Sequence, residues 1–320
     1  MRFYTFFSAS LLGLAYAATY SNPLREVNGG DPNITYHEGY YYFMSTTWSD
    51  LQMTRATTLE GLKNGETRQV WVDSTPSRCC NVWAPEMHYI DGAWHIYYSA
   101  GPNPLGDQRS HVIVGGSSPW DTYTYLGAIV SDRWAIDGTI LRFPEQNYFV
   151  YSGFQDNGKQ SLYIAPMTSA ATIGESALLS SPDAEWESQG DFPVNEGPHA
   201  LYHGGQTFLT FSGSYCWTAS YALGLLTWNG GDPMLAASWT KTGPVFSSAN
   251  GNYGTGHNSF FISPDESEIW NVYHSTPNSG GDCGSNRYSN AKVVQWNEDG
   301  SPNFGQAPAF GTVVPGPSGE

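Results

Sequence analysis

Short stretches in which apolar and polar residues alternate recur along the chain, each cut by a turn and followed by a second alternating stretch. The clearest is Met87-His88-Tyr89-Ile90-Asp91-Gly92-Ala93-Trp94-His95-Ile96-Tyr97-Tyr98, where an Asp-Gly pair separates two runs of period two. That pattern predicts a β-hairpin. The same grammar appears from Tyr202 to Phe211 around Gly204-Gly205, at Gly39-Tyr40-Tyr41-Tyr42, at Tyr148-Phe149-Val150-Tyr151 and at Ile269-Trp270-Asn271-Val272-Tyr273. A polar residue opens each unit, namely Asp31, Glu86, Asp137, Glu196 and His257, at intervals of 55, 51, 59 and 61 residues. Propeller blades repeat at such intervals, so the expected fold is all-β, a five-bladed β-propeller in a single domain. The first strand of each blade lies nearest the axis, so the opening residues are expected at equivalent positions, converging on one mouth.

The blades are expected at about 31–73, 81–130, 135–188, 194–246 and 254–304, after an irregular lead-in at 18–30 and before an extended tail at 305–320 rich in Pro and Gly. Residues 57–62 read as a surface crossing inside blade one. Composition agrees, since charged residues are only 13% of the chain while Gly and Pro number 36 and 20, a turn-rich balance suited to many short strands.

Charge narrows the partners. With 29 acidic against 13 basic residues and a net charge of −16, neither nucleic acid nor an anionic membrane is expected to bind, whereas a neutral ligand such as a sugar is compatible. Met1-Arg2, the apolar residues 6–14 and Ala15-Tyr16-Ala17 read as a secretory signal peptide over residues 1–17, too short to anchor in a membrane. The mature domain is then 18–320, secreted and extracellular. Secretion favours oxidised cysteines, and Cys79, Cys80, Cys216 and Cys283 allow three pairings. One bonds the adjacent Cys79 and Cys80 to each other and Cys216 to Cys283. The other two send each adjacent cysteine to a distant partner. Asn33-Ile34-Thr35 fits a glycosylation sequon but lies on an axial strand, where no glycan is expected.

Two carboxyl groups flanking a glycosidic bond suffice to hydrolyse it, one as acid on the leaving oxygen and one as base on water or as nucleophile. Asp31, Asp137 and Glu196 supply three at one mouth. Asp before Pro is by itself a common turn element, and it is the repeat that gives these residues weight. A sugar-binding propeller without catalysis is the alternative from another class, and it predicts loss of at least one of the three. Glu86, within Trp83-Ala84-Pro85-Glu86-Met87, is expected to be structural, its carboxylate tying neighbouring loops together.

Gly29-Gly30-Asp31-Pro32, Trp83-Ala84-Pro85-Glu86, Ile136-Asp137-Gly138, Asn195-Glu196-Gly197-Pro198 and Gly256-His257-Asn258-Ser259 together resemble glycoside hydrolase family 43, over nearly the whole mature chain. The resemblance implies a five-bladed propeller that removes arabinofuranose or xylose from plant polysaccharides such as arabinan or arabinoxylan. It implies Asp31 as general base, Glu196 as general acid, and Asp137 as the residue that raises the acid's pKa and orients it. It implies inversion at the anomeric carbon, for which the acid and base stand roughly 6.5–9.5 Å apart. His257 matches an axial histidine that holds a water or a hydrated Ca²⁺ or other cation beneath the sugar, no cofactor being required for the reaction. Trp83 is expected to pack on the sugar, and Arg287, in Ser285-Asn286-Arg287-Tyr288, to bind hydroxyls or the base. The stretch from Thr54 to Leu62 resembles the exo-acting α-L-arabinofuranosidase branch, with an endo-1,5-α-L-arabinanase or a β-xylosidase as alternatives. Many β-xylosidases of the family carry a further C-terminal β-sandwich, for which no room is expected here. A monomer is expected, with the loops at 74–81 and 102–110 walling one side of the pocket.

Overall fold

In blade two, Cys80–Ile90 and Ala93–Gly101 pair antiparallel across a tight turn in which Asp91 and Gly92 both have positive φ, 51° and 85°. Both central residues of a type I′ turn need that conformation, and Asp-Gly supplies it cheaply. Arg109–Val114 and Thr124–Val130 complete a four-stranded meander. The computed structural model describes residues 18–320, and five antiparallel sheets, three of them four-stranded like this one, succeed one another around an axis. The expected signal peptide lies outside the described residues.

Blade one holds Asn33–His37, Tyr40–Met44, Leu51–Ala56 and Glu66–Trp71. Blade three begins with Ile136–Arg142 and Asn147–Phe154, blade four with Asn195–His203 and Gln206–Gly213, and blade five with Tyr253–Ile262 and Ile269–Thr276. Five apolar clusters fill the fold, and each sits between consecutive blades. One example joins Tyr42, Met44 and Met53 of blade one to Met87, Ile96 and Ile113 of blade two. A blade is therefore apolar on both faces, because each face packs against a neighbour.

Ring closure departs from the sequence expectation. Thr19–Ser21 is a strand paired with Val313–Pro315 of the tail, so neither terminal segment merely runs over the surface. Blade five itself has three strands, ending at Tyr288–Val293, and the lead-in covers its outer edge: Arg25 and Ser289 form an antiparallel bridge, and the Asn22 side chain bonds both N–H and C=O of Ala291. The tail then ties blade five to blade one. The Ser318 N–H donates to Glu268, and Glu320 accepts the Leu59 N–H at 2.7 Å. Leu59 and Leu62, within the expected surface crossing, are buried, packing with the 3₁₀ turn Glu60–Asn64 into the cluster between blades five and one. Covering an open sheet edge satisfies its backbone groups and closes the ring.

Cys79 bonds to Cys80 and Cys216 to Cys283, the first of the three pairings. Asn33 is buried and its side chain accepts the Met87 N–H, which leaves no room for a glycan.

Candidate active site

At the mouth each inner strand carries a residue with left-handed backbone at its entry: Asp31 (φ 56°), Ala84 (45°), Asp137 (56°), Gly197 (55°) and His257 (40°). In blades two to five a register shift marks the place. Four of the five are not glycine, and such residues carry strain of order 1–3 kcal/mol each, which the surrounding bonds must hold. The holding group is a side chain beside the second strand of the preceding blade. Thr46 Oγ1 accepts the Ala84 N–H (2.8 Å), Ser99 Oγ that of Asp137 (3.0 Å), Ser212 Oγ that of His257 (2.7 Å), and His274 Nδ1 that of Asp31 (3.2 Å). In blade three the equivalent Ser152 hydroxyl donates to the Asn195 carbonyl instead, and the Gly197 N–H goes to Asp137.

This register corrects the expectation that the five opening residues are equivalent. Asp31, Asp137 and His257 occupy the left-handed position itself. Glu196 stands one residue before it, opposite Ser212, as Trp83 stands opposite Ser99. Glu86 stands two residues beyond Ala84, roughly 6–7 Å deeper at the usual rise per residue. There its carboxyl meets His88 Nε2 at 2.8 Å and His199 Nε2 at 3.9 Å rather than tying loops together. Burial pushes Glu86 well above the carboxylate range and His88 and His199 below the imidazole range, His199 to about 4, so the cluster is neutral and sits apart from the mouth.

Asp31 accepts from Arg287 Nη1 on Oδ1 (2.6 Å) and from Thr46 Oγ1 on Oδ2 (2.6 Å), with His257 Nδ1 at 3.1 Å from Oδ1. Burial opposes its ionisation, but the Arg287 guanidinium and the two histidines outweigh burial and hold Asp31 well below the usual range. Arg287 is itself buried, packed so closely on Gly30 that a Cβ there would lie 2.2 Å from its Cζ. His274 is held neutral, at about 4, first by burial and then by Arg287. Its Nδ1 accepts the Asp31 N–H, and its ring stacks on Tyr221 at 5.5 Å.

Glu196 has a different environment. Its oxygens accept from Tyr221 OH (2.9 Å) and Gln160 Nε2 (2.8 Å), both uncharged donors. Burial, reinforced by the Asp31 charge, lifts it to about 7 against those two bonds. Asp137 is raised as well, by burial and then by Glu196 and Asp31, while the Gly197 N–H on its Oδ2 works the other way. Asp137, buried, and Glu196, half-buried, titrate together, and the pair retains a proton at neutral pH.

Asp137, Glu196 and His257 present donor atoms within 4.8 Å of one another, the one such group of potential metal ligands found among the described residues. Direct ligation fits these residues poorly. Arg287 places positive charge beside the group and the two carboxyls tend to the protonated form, while His257, its Nδ1 engaged with Asp31 at 3.1 Å, has only Nε2 left to offer.

A cavity of about 440 Å³ opens above these groups, lined by Asp31, Asp137, Glu196, His257, Arg287 and Gln160. Trp83 is in its wall, facing Trp48 edge-on at 6.2 Å. Of the two expected wall loops, Leu105 and Gly106 reach the cavity, but 74–81 does not; its Asn81 instead buttresses the other loop through Pro102 and Gln108. The far wall comes from Tyr215, Trp217 and the Cys216–Cys283 disulfide. Thr46, Trp48, Gln160, Tyr221 and His274 were not singled out by the sequence patterns. A signal existed for part of this set, since Tyr98-Ser99, Tyr151-Ser152, Phe211-Ser212 and Tyr273-His274 repeat an aromatic residue followed by a polar one near the end of the second strand in blades two to five.

Comparison with known proteins gives a consistent result. The model for glycosyl hydrolases family 43 matches residues 20–302. The chain is 36% identical over 317 residues to an extracellular exo-α-(1→5)-L-arabinofuranosidase of Streptomyces avermitilis, covering 93% of this chain and 65% of that protein. It is 35% identical over 320 residues to α-L-arabinofuranosidase 43 of Humicola insolens, covering 93% and 66%. The chain thus spans just under two thirds of the length of these relatives. Among solved structures, an α-L-arabinofuranosidase from Lactobacillus brevis superposes with a TM-score of 0.84 at 32% identity, covering 92% of this chain and 98% of the other.

Proposed function

The chain belongs to glycosyl hydrolase family 43, and on that premise we propose that it is a secreted, exo-acting α-L-arabinofuranosidase that hydrolyses with inversion, removing terminal arabinofuranose from arabinan or arabinose-decorated plant polysaccharide. The observation that carries this function is the opposite ionisation of two carboxyls facing one cavity: Asp31 is held well below the carboxylate range by Arg287, and Glu196 is lifted to about 7 by burial. A base and an acid poised on either side of neutrality are what general acid–base hydrolysis requires. Support for the sugar, the exo mode and secretion comes from the relatives' names. Among the described residues no helix is long and apolar enough to cross a membrane.

In this mechanism Asp31 takes a proton from water as the water oxygen attacks the anomeric carbon. Glu196 gives its proton to the glycosidic oxygen as the carbon–oxygen bond breaks, and the sugar leaves with inverted configuration. Asp137 keeps the acid protonated by lying close to it, so that the two carboxyls share a proton. Arg287, Thr46 and His257 fix the base, and Tyr221 and Gln160 fix the acid. His257 would meet a hydrated cation only through water, and no step depends on one.

Proton NMR of the first product from α-1,5-arabinan, before mutarotation, tests the proposal. The expected result is arabinose of inverted configuration released as monomer. Retained configuration would overturn the mechanism, early dimers and trimers the exo mode, and release of xylose alone from aryl substrates the sugar.

Substitution of Gly30 by Ala provides an indirect test of the base. The new methyl must displace the Arg287 guanidinium from its seat beside Asp31. An expected fall in kcat on the order of 10²-fold follows from misplacing one catalytic group by about 1 Å, with the folded circular-dichroism spectrum retained. A folded Gly30→Ala protein with kcat within twofold of wild type removes Arg287 from the support of the base.

A further inference from the structure

Four aromatic side chains along the cavity belong to none of the five apolar clusters between blades: Trp134, Phe154, Phe192 and Tyr215. They touch one another in series, with ring centroids 4.7 Å apart from Trp134 to Phe154, 5.7 Å from Phe154 to Phe192 and 4.9 Å from Phe192 to Tyr215. Phe154 is 41% exposed, although its position on a strand of blade three would allow a polar residue. A continuous aromatic surface, half-buried at Trp134, Phe192 and Tyr215 and exposed at Phe154, that builds no core marks a place where a ligand lies.

Its position identifies which part of the ligand. Phe154 is the cross-strand partner of Gln160, the residue that donates to Glu196 Oε2. Tyr215 follows the strand that pairs with Asn195 and Glu196, and the Glu196 charge contributes, after burial and Asp191, to raising its phenol. The arc therefore runs along the side of the cavity that carries Glu196, whereas Trp48 and Trp83 stand toward blades one and two. A general acid must lie within hydrogen-bond reach of the oxygen it protonates. The part of the substrate beyond that oxygen must then lie on the acid's side, against the arc.

We propose that Trp134, Phe154, Phe192 and Tyr215 form a binding surface for the leaving side of the substrate, stacking on the sugar next to the one released. The surface makes the enzyme selective for oligosaccharide and polysaccharide chains over simple arabinofuranosides. This rests on Glu196 as the acid, the reading given above. An aromatic face suits the C–H face of a pentose, and an uncharged surface suits a neutral chain on a protein of net charge −16. Trp217, 50% exposed and next in the chain to the bridged Cys216, extends the same wall.

The test compares Phe154→Ala, Phe192→Ala and Phe192→Tyr with wild type, measuring kcat and KM on α-1,5-arabinotriose and the inhibition constant of free arabinose. Each alanine variant is expected to lower kcat/KM on the triose about tenfold, chiefly through KM, with the arabinose constant within twofold and the tyrosine variant near wild type. Equal losses on triose and arabinose, or no loss on the triose, overturn the arc. If xylotriose is cleaved in place of arabinotriose, the assigned sugar fails and the same comparison on xylotriose judges the arc. If neither is cleaved, titration of both trioses and both monosaccharides into the Glu196→Gln protein decides. There, trioses binding no more tightly than monosaccharides overturn the proposal.

Discussion

Replacing Asp31 by Asn is expected to lower kcat about 10⁴-fold, the upper end of what one general base contributes, on every substrate and at every pH. The amide cannot accept the water's proton, and no other group is poised to do so: Asp137 and Glu196 are raised toward protonation, and His257 is depressed by burial before any contribution from Asp31. Backbone strain should not confuse the result, because Asn tolerates the left-handed conformation of position 31 as readily as Asp does. Stability will fall, since Asp31 receives donors on both oxygens and the new amide group must face either Arg287 or Thr46. A buried cation left without its counter-charge costs several kcal/mol when nothing relaxes. Thermal unfolding measured beside kcat separates the two effects. A folded Asp31→Asn protein within tenfold of wild-type kcat removes Asp31 from the role of base.

Substitution of Glu196 by Gln should show a different signature, because an acid is needed only in proportion to the basicity of the leaving oxygen. On arabino-oligosaccharides, whose leaving group is an alkoxide, kcat is expected to fall about 10³-fold. On a 2,4-dinitrophenyl arabinofuranoside, whose leaving group departs unassisted, the loss should be far smaller. The pH profile supplies a second readout. Glu196 works in its protonated form, so wild-type activity on oligosaccharides should decline as pH rises through about 7, the pKa to which burial lifts it. Asp31 works ionised and is held well below the carboxylate range, so the acidic limb lies below that range and activity persists into mildly acid conditions. The alkaline limb belongs to the Glu196–Asp137 pair as a unit. It should vanish in Glu196→Gln when the activated aryl substrate is used. An unchanged alkaline limb, or equal losses on both substrates, would assign the proton to another group.

Some of this was legible in local pattern. Alternation cut by Asp91-Gly92 and Gly204-Gly205 gives hairpins, because strand periodicity and turn chemistry are properties of a few neighbouring residues. The placement of Glu196 was less legible. Asp31, Asp137 and Glu196 look equivalent in the sequence, yet the left-handed residue in blade four is Gly197, whose Cβ would lie 2.9 Å from the His257 ring. Which residue takes the bulge is decided by what the neighbouring blade leaves room for. The closure at blade five was also hidden, because lead-in and tail carry little alternation and form strands only by pairing with each other, beside the edge that Arg25 bridges.

The sequence by itself determined a propeller of five repeated units, the family, and the three carboxyls at one mouth, since repeats and motifs survive without knowledge of contacts. Only the tertiary structure decided what those carboxyls are. Arg287 reaches Asp31 across 256 residues of chain, and Tyr221 and Gln160 reach Glu196 across 25 and 36. Ionisation depends on burial and on charges brought near through space, so two carboxyls that read alike along the chain come to differ in ionisation only when the ring closes.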